Sequence, residues 1–129
     1  MFFRRKKISP EITKKVGIPS RSGHDVARFP MQAPILVVFG LGEQGVQVSC
    51  VTLDLPKDTA EKVMFIRENC DVLLAYDANR DFLNMLMDEG LEIYITDDRR
   101  PEAALYSFLA GKLDQFLGGP CPSCGKGLA

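Results

Sequence analysis

The 129-residue chain has no tryptophan, one histidine and four cysteines, and its formal net charge is only −1. No apolar run approaches the ~20 residues that a membrane-spanning helix needs. The basic opening MFFRRKKIS has no apolar stretch behind it, so it does not read as a secretory signal. A cytoplasmic location is therefore expected, where the cysteines would stay as thiols or bind metal rather than pair as disulfides. There is no internal repeat, and no aromatic interleaving or groove-reading motif of the kind that recognises nucleic acid. Neither a membrane nor a nucleic acid is thus an expected partner.

What is present is an ordinary globular composition, with 46% hydrophobic and 26% charged residues, enough for one domain with a real core. The near-neutral total conceals an asymmetry. Residues 1–28 carry eight Lys/Arg and two acids, a surplus of six positive charges; the remainder carries eight Lys/Arg and fifteen acids. The basic lead-in reads as a solvated segment rather than a docking arm for an anionic partner.

Residues 1–14 read as a disordered arm, residues 15–117 as the folded domain, and residues 118–129 (GGPCPSCGKGLA) as a flexible glycine-rich tail. Within the domain, a short strand is expected over Lys15 to Pro19. A loop rich in Gly, Ser and Pro follows, and then a continuously apolar strand, Ile35 to Phe39. Gly40 to Gly45 reads as a turn whose glycines can take positive φ. Val46 to Leu53 alternates, with Val46, Val48, Cys50 and Thr52 on one face. Asp58 and Glu61 form a capping box with Asp in place of Ser/Thr, opening a helix with an Ala60, Val63, Met64 and Ile66 stripe that ends near Asn69. Asp71 to Tyr76 is a buried-type strand. Asp77 to Glu89 is a helix with Phe82, Leu83, Leu86 and Met87 inward, stopped by Gly90. Leu91 to Thr96 is a strand. Pro101 suits the first position of a last helix, whose apolar face is Ala104, Leu105, Phe108 and Leu109. The order β-β-β-α-β-α-β-α contains a parallel, right-handed βαβ unit. It predicts an α/β domain with one mixed sheet of five strands and helices on its faces.

The stretch CDVLLAYDANRDFLNMLMDEGLEIYITDDRRPEAALYSFLAGKLDQF resembles the dinitrogenase iron–molybdenum cofactor accessory family, the small NifX-type domains. The matching pieces are Glu89-Gly90-Leu91-Glu92-Ile93-Tyr94, Glu102-Ala103-Ala104-Leu105 and Gly111-Lys112-Leu113. KKVGIPSRSG resembles the family's opening strand and turn, and VARFPMQAPILVVF its segment leading into strand two. The resemblance covers roughly residues 14–117. It implies an RNase H-like three-layer fold with sheet order 3-2-1-4-5 and strand 2 antiparallel. It also implies a non-catalytic carrier of an iron–sulfur-type cluster or an iron–molybdenum cofactor precursor, working with cluster donor and acceptor proteins. The chain departs from the family in two places. Arg28 stands before Phe29 where members often carry histidine. Asp77-Ala78-Asn79-Arg80 stands where members often have a glycine-rich turn.

Several side chains are candidates for chemistry. Cys121 and Cys124, at C-x-x-C spacing, can give two soft thiolates to one metal, which is half of a tetrahedral site. The rest would come from Cys50, Cys70, a second subunit in a homodimer, or the cargo; a redox dithiol is the competing use. Cys50 and Cys70 read as small core residues rather than ligands. His24, the one imidazole, reads as solvated, with metal ligation as the alternative. Arg28 and Arg21 can pair with a negatively charged cluster, against plain surface arginines. Asp54, Asp77 and Asp97 each follow a strand and could hold Mg²⁺ for phosphodiester cleavage, but capping and turn formation account for them more simply. A catalytic residue is not expected. The alternatives to a carrier are an interaction module that has lost cluster binding and, less favoured, a Mg²⁺-dependent phosphodiesterase. The Gly40–Gly45 stretch leads into a strand, so it fails the context of a dinucleotide fingerprint.

Overall fold

The structure, a computed structural model, describes residues 12–118. Six strands form one mixed sheet: β1 (Lys14–Ser20), β2 (Ile35–Leu41), β3 (Gln47–Asp54), β4 (Val72–Ala75), β5 (Glu92–Ile95) and β6 (Asp114–Gln115), in the order β3-β2-β1-β4-β5-β6. β1, β4 and β5 are parallel; β2 is antiparallel to both β1 and β3, and β6 is antiparallel to β5. The expected order of the first five strands is observed. The sixth was not expected, because two residues carry no periodicity. It is held by pairing Tyr94 with Gln115 and by burial of the next residue, Phe116.

Helices α1 (Thr59–Asn69) and α2 (Arg80–Asp88) cover one face of the sheet, and α3 (Pro101–Leu109) covers the other. Leu36, Val38, Leu73 and Ile93 meet Ile66, Phe82 and Leu86 on the first face. Val16, Ile18, Phe39 and Leu74 meet Ala104 and Leu105 on the second. This explains why β4 is apolar at every position: all four of its residues are buried, as a parallel strand sandwiched between helix layers requires.

Local chemistry sets the helix ends. The Asp58 carboxylate accepts from the Glu61 N–H at 3.0 Å, capping α1 as its spacing predicts. Pro101 occupies the first turn of α3. α2 starts three residues later than expected. Asn79 takes a left-handed conformation (φ 54°) just before it, and the Asp77 carboxylate is held by the Arg80 guanidinium at 2.9 Å.

Four expectations about which residues face inward are corrected. On α1 the buried face is Lys62, Val63 and Ile66, while Ala60 and Met64 are exposed. Lys62 is drawn in because its ammonium donates to the carbonyls of Met31 (2.6 Å) and Ala33 (3.0 Å). Leu109 is exposed at the end of α3, and Cys50 is exposed on β3 rather than packed in the core. Gly40 lies within β2 instead of in the turn. It is glycine because a Cβ there would collide with the Ser49 hydroxyl and the Ile12 side chain. The turn proper is Glu43–Gly45, where Gln44 and Gly45 take positive φ. Lys14, expected to precede the domain, belongs to β1, and the Thr13 N–H donates to the Leu41 carbonyl. Residues 1–11 and 119–129 lie outside the described residues.

Candidate functional site

The carboxyl ends of β1, β4 and β5 come out side by side, because the sheet reverses direction of build-up at β1. In open α/β sheets that end, beside such a switch, is where ligands bind. Here it is roofed by the loop of residues 21–34. The loop is fastened at several points: the Ala27 N–H donates to the Pro19 carbonyl and the Val26 N–H to the Arg99 carbonyl. Further along, the Met31 N–H donates to Asn79 Oδ1 at the start of α2, and Lys62 grips the carbonyls of Met31 and Ala33 from below. Burial of the Lys62 ammonium pushes its pKa below the ordinary lysine value.

The first turn of this loop is built around Asp25. Its Oδ1 accepts from the Ser20 hydroxyl (2.7 Å), the Arg21 N–H (3.0 Å), the Ser22 N–H (2.9 Å) and the Ser22 hydroxyl (3.0 Å). Gly23, at φ 91°, closes the turn by donating its N–H to the Ser20 Oγ. Burial by itself pushes the Asp25 carboxyl up. The Ser22 N–H, the two serine hydroxyls and the Arg21 N–H outweigh it and bring the pKa down to about 2. The Asp25 charge is thus spent on the loop's own donors.

Three cavities adjoin around Arg28, which lines all of them. One of about 390 Å³ is lined by Arg21, Arg28, Phe29, Gln32 and Pro34, with no acid. One of about 280 Å³ brings Arg21, Asp25, Arg28, Tyr76 and Arg99 together. The third, of about 530 Å³, is lined by Arg28, Phe29, Tyr76, Asp77, Asp97 and Arg99 among others. Three guanidiniums, two from the loop of residues 21–34 and one from the segment after β5, thus line one cleft, with Tyr76 and Phe29 as its aromatic walls. Asp25 and Asp77 already have partners in the loop turn and in Arg80. A cleft of this kind can hold an anion by charge and by the fork geometry of guanidinium N–H groups, with a flat apolar surface alongside.

Of the residues singled out from the sequence, Arg21 and Arg28 are brought together here. His24 is exposed and lines none of the three cavities; its backbone N–H donates to the Ser22 Oγ. Asp77 and Asp97 share a cavity, but Asp54 does not line it. Among the described residues, no three His, Cys, Asp or Glu side chains gather to hold a metal ion. Cys121 and Cys124 lie outside the described residues. Cys70 is buried as expected. Burial, with the Asp71 charge beside it, pushes its thiol up to about 12, so it is inert at neutral pH. Sequence reasoning missed Arg99 and Tyr76. Their signal was weak: a basic pair after β5 in DDRR, and one tyrosine at the end of a buried strand. Only the strand order gives those positions meaning.

No protein-family model matches the chain, and no curated protein matches it in sequence. Several solved structures share its fold. A protein assigned as a dinitrogenase from Methanocaldococcus jannaschii superposes with a TM-score of 0.67 at 14% identity, covering 84% of this chain and 100% of its own. A protein assigned as a NifB protein of the DUF35 family from Thermotoga gives a TM-score of 0.65 at 15% identity, covering 84% and 98%. The apo form of the orange protein from Desulfovibrio gigas gives a TM-score of 0.67 at 12% identity, covering 87% and 99%. At such identities the likeness establishes the fold alone. Among the described residues no helix is long and apolar enough to cross a membrane.

Proposed function

We propose that this domain is a non-catalytic carrier that holds a preassembled, anionic metal–sulfur cluster, of iron–sulfur type or an iron–molybdenum cofactor precursor, in the cleft around Arg28. The observation that carries the reading is the convergence of Arg21, Arg28 and Arg99 at the carboxyl ends of the parallel strands. Support also comes from the likeness of fold to the proteins named for dinitrogenase and NifB. The family resemblance read from the sequence, with the RNase H-like architecture it implies, points the same way.

The cargo's charge sets the binding mode. Sulfide-rich clusters are anions, and their outer sulfurs and any carboxylates accept hydrogen bonds. Guanidiniums stay protonated at any physiological pH, so they supply charge and donors without binding the metal covalently. A carrier must release its load, and a site built on ion pairs in a solvent-open cleft lets go more readily than a closed set of thiolates. The tail thiols Cys121 and Cys124 would add sulfur donors from the far end of the chain, and Phe29 and Tyr76 would shield one side of the cargo from water.

The test is anaerobic loading with ferrous iron and sulfide, and separately with tetrathiomolybdate, followed by desalting and measurement of metal and of visible charge-transfer absorbance. The wild-type chain should keep its load through desalting at low salt. Arg28→Ala and Arg99→Ala should each weaken binding by about tenfold to 100-fold, the loss of a charge-assisted contact. Retention unchanged in both variants would overturn the assignment of the cleft. Retention lost only in Cys121→Ser with Cys124→Ser would place the load on the tail instead.

A further inference from the structure

β3 forms one edge of the sheet; its ladder is irregular only at its start, where Val48 is skipped between Gly40↔Ser49 and Leu41↔Gln47, and from Ser49 onward it is not protected as edges usually are. Natural edge strands are short, charged, bulged away or covered. The opposite edge, β6, obeys this: it has two residues, one of them Asp114. β3 runs for eight residues, Gln47 to Asp54, with no charged side chain before Asp54. Val51 is 48% exposed at its middle and Val46 is 59% exposed just before it. Cys50, Val51 and Thr52, at the middle of β3, are all exposed. Its register with β2 is regular from Ile35↔Asp54 to Gly40↔Ser49.

That register fixes which backbone groups face out. The Leu55 N–H donates to the Pro34 carbonyl, which makes 34 and 55 a hydrogen-bonded pair of the ladder. Antiparallel pairs alternate between bonded and non-bonded, so Leu53 and Val51 also turn their N–H and C=O toward β2. Cys50 and Thr52 turn theirs away from the sheet, where no described residue meets them.

We infer that β3 is a self-association edge, pairing antiparallel with β3 of a second copy about a two-fold axis at Val51. A pairing about a two-fold must set each residue against one of the same backbone orientation. Centring on Val51 places it against its own equivalent in a non-bonded pair, the arrangement in which facing side chains are closest. The N–H and C=O groups of Cys50 then exchange bonds with those of Thr52 in the second copy, and the reverse. Centring on Cys50 would instead oppose Val51 to Ser49 and leave the apolar surface unmatched. A second copy fits better than an unrelated strand for two reasons. The segment 47–53 has no charge, so identical strands meet without repulsion, and one symmetric contact satisfies Cys50 and Thr52 of both copies. The result is a continuous twelve-stranded sheet with the two arginine clefts on separate protomers, so this contact is independent of what the clefts hold.

Sedimentation of the full chain in reductant at about 100 µM, where contacts of modest affinity are populated, should show a species of twice 14.3 kDa. Val51→Lys, which places two ammonium groups face to face across the axis, should return it to a single chain without loss of folded circular dichroism. In a chain carrying Cys50→Ser, Cys121→Ser and Cys124→Ser, Val51→Cys should cross-link on treatment with diamide. The facing Cα atoms would be about 4.5 Å apart, within disulfide reach, and diamide takes up the two electrons and two protons released. Gln47→Cys in the same background should not cross-link. A wild-type chain that sediments as a monomer, or a Val51→Cys chain that fails to cross-link, overturns the inference. A dimer that persists in Val51→Lys overturns it equally, because the contact then lies elsewhere.

Discussion

Replacing Asp25 by asparagine isolates the energetic contribution of the turn that carries Arg21 and leads to Arg28. The carboxylate is half-buried and its Oδ1 accepts four hydrogen bonds, from Ser20, Arg21 and twice from Ser22. In the folded chain its pKa is about 2 against an ordinary 3.8. Each unit of such a difference is about 1.4 kcal/mol, so the full shift corresponds to about 2.5 kcal/mol. Solvent reaches part of the group, and screening reduces this to about 1–1.5 kcal/mol. Because the folded pKa is the lower one, the contribution is complete above pH 3.8 and disappears as pH falls through 2. Urea unfolding followed by far-ultraviolet circular dichroism, run on wild type and Asp25→Asn from pH 7 down to pH 2, gives the difference directly. Asp25→Asn should be less stable by about 1–1.5 kcal/mol at pH 7, and the gap should close near pH 2, where wild type carries the neutral acid too. A gap that is absent at pH 7, or that stays constant to pH 2, would refute the account of the loop as organised by the charge on Asp25.

Other consequences are open to measurement. Anion retention by the cleft should fall steeply as salt is raised; binding that is insensitive to salt would exclude a charge-held load. Gly17→Ala should cost about 1–3 kcal/mol by overpacking, because a Cβ at Gly17 would lie 2.7 Å from the Cys70 Sγ and 3.2 Å from Leu36. Adding Cys70→Ala should recover part of that loss in urea titrations, and a purely additive double variant would refute the contact. Lys62→Met should destabilise by about 1–3 kcal/mol, because it leaves the carbonyls of Met31 and Ala33 without their donor. In a chain with the tail cysteines replaced by serine, a thiol reagent should label Cys50 in the folded state and Cys70 only after unfolding, as their exposures require.

Local signals carried a large part of the fold. The Asp58 cap, the Pro101 start, the apolar runs of β2 and β4 and the inward face of α2 all rest on contacts within a few residues, and these are legible from spacing. Met64 and Lys62 mark where that logic fails. Periodicity sends the methionine inward, but two carbonyls from a loop thirty residues earlier draw in the lysine. Cys50 fails for a related reason. Alternation along β3 shows which residues share a face, yet whether that face is covered depends on how far the helix layer extends over the sheet edge.

For the site, the sequence by itself singled out Arg21 and Arg28, as basic residues in a glycine- and serine-rich loop after the first strand. It could not attach Arg99 and Tyr76 to them. Tyr76 sits roughly fifty and Arg99 roughly seventy-five positions further along, and they reach the same cleft because β4 and β5 stack beside β1 while β2 and β3 build the other way. Element type follows from short-range preference, so the chain announces it; which strand ends lie together follows from burial of both sheet faces at once, and only the folded molecule decides that.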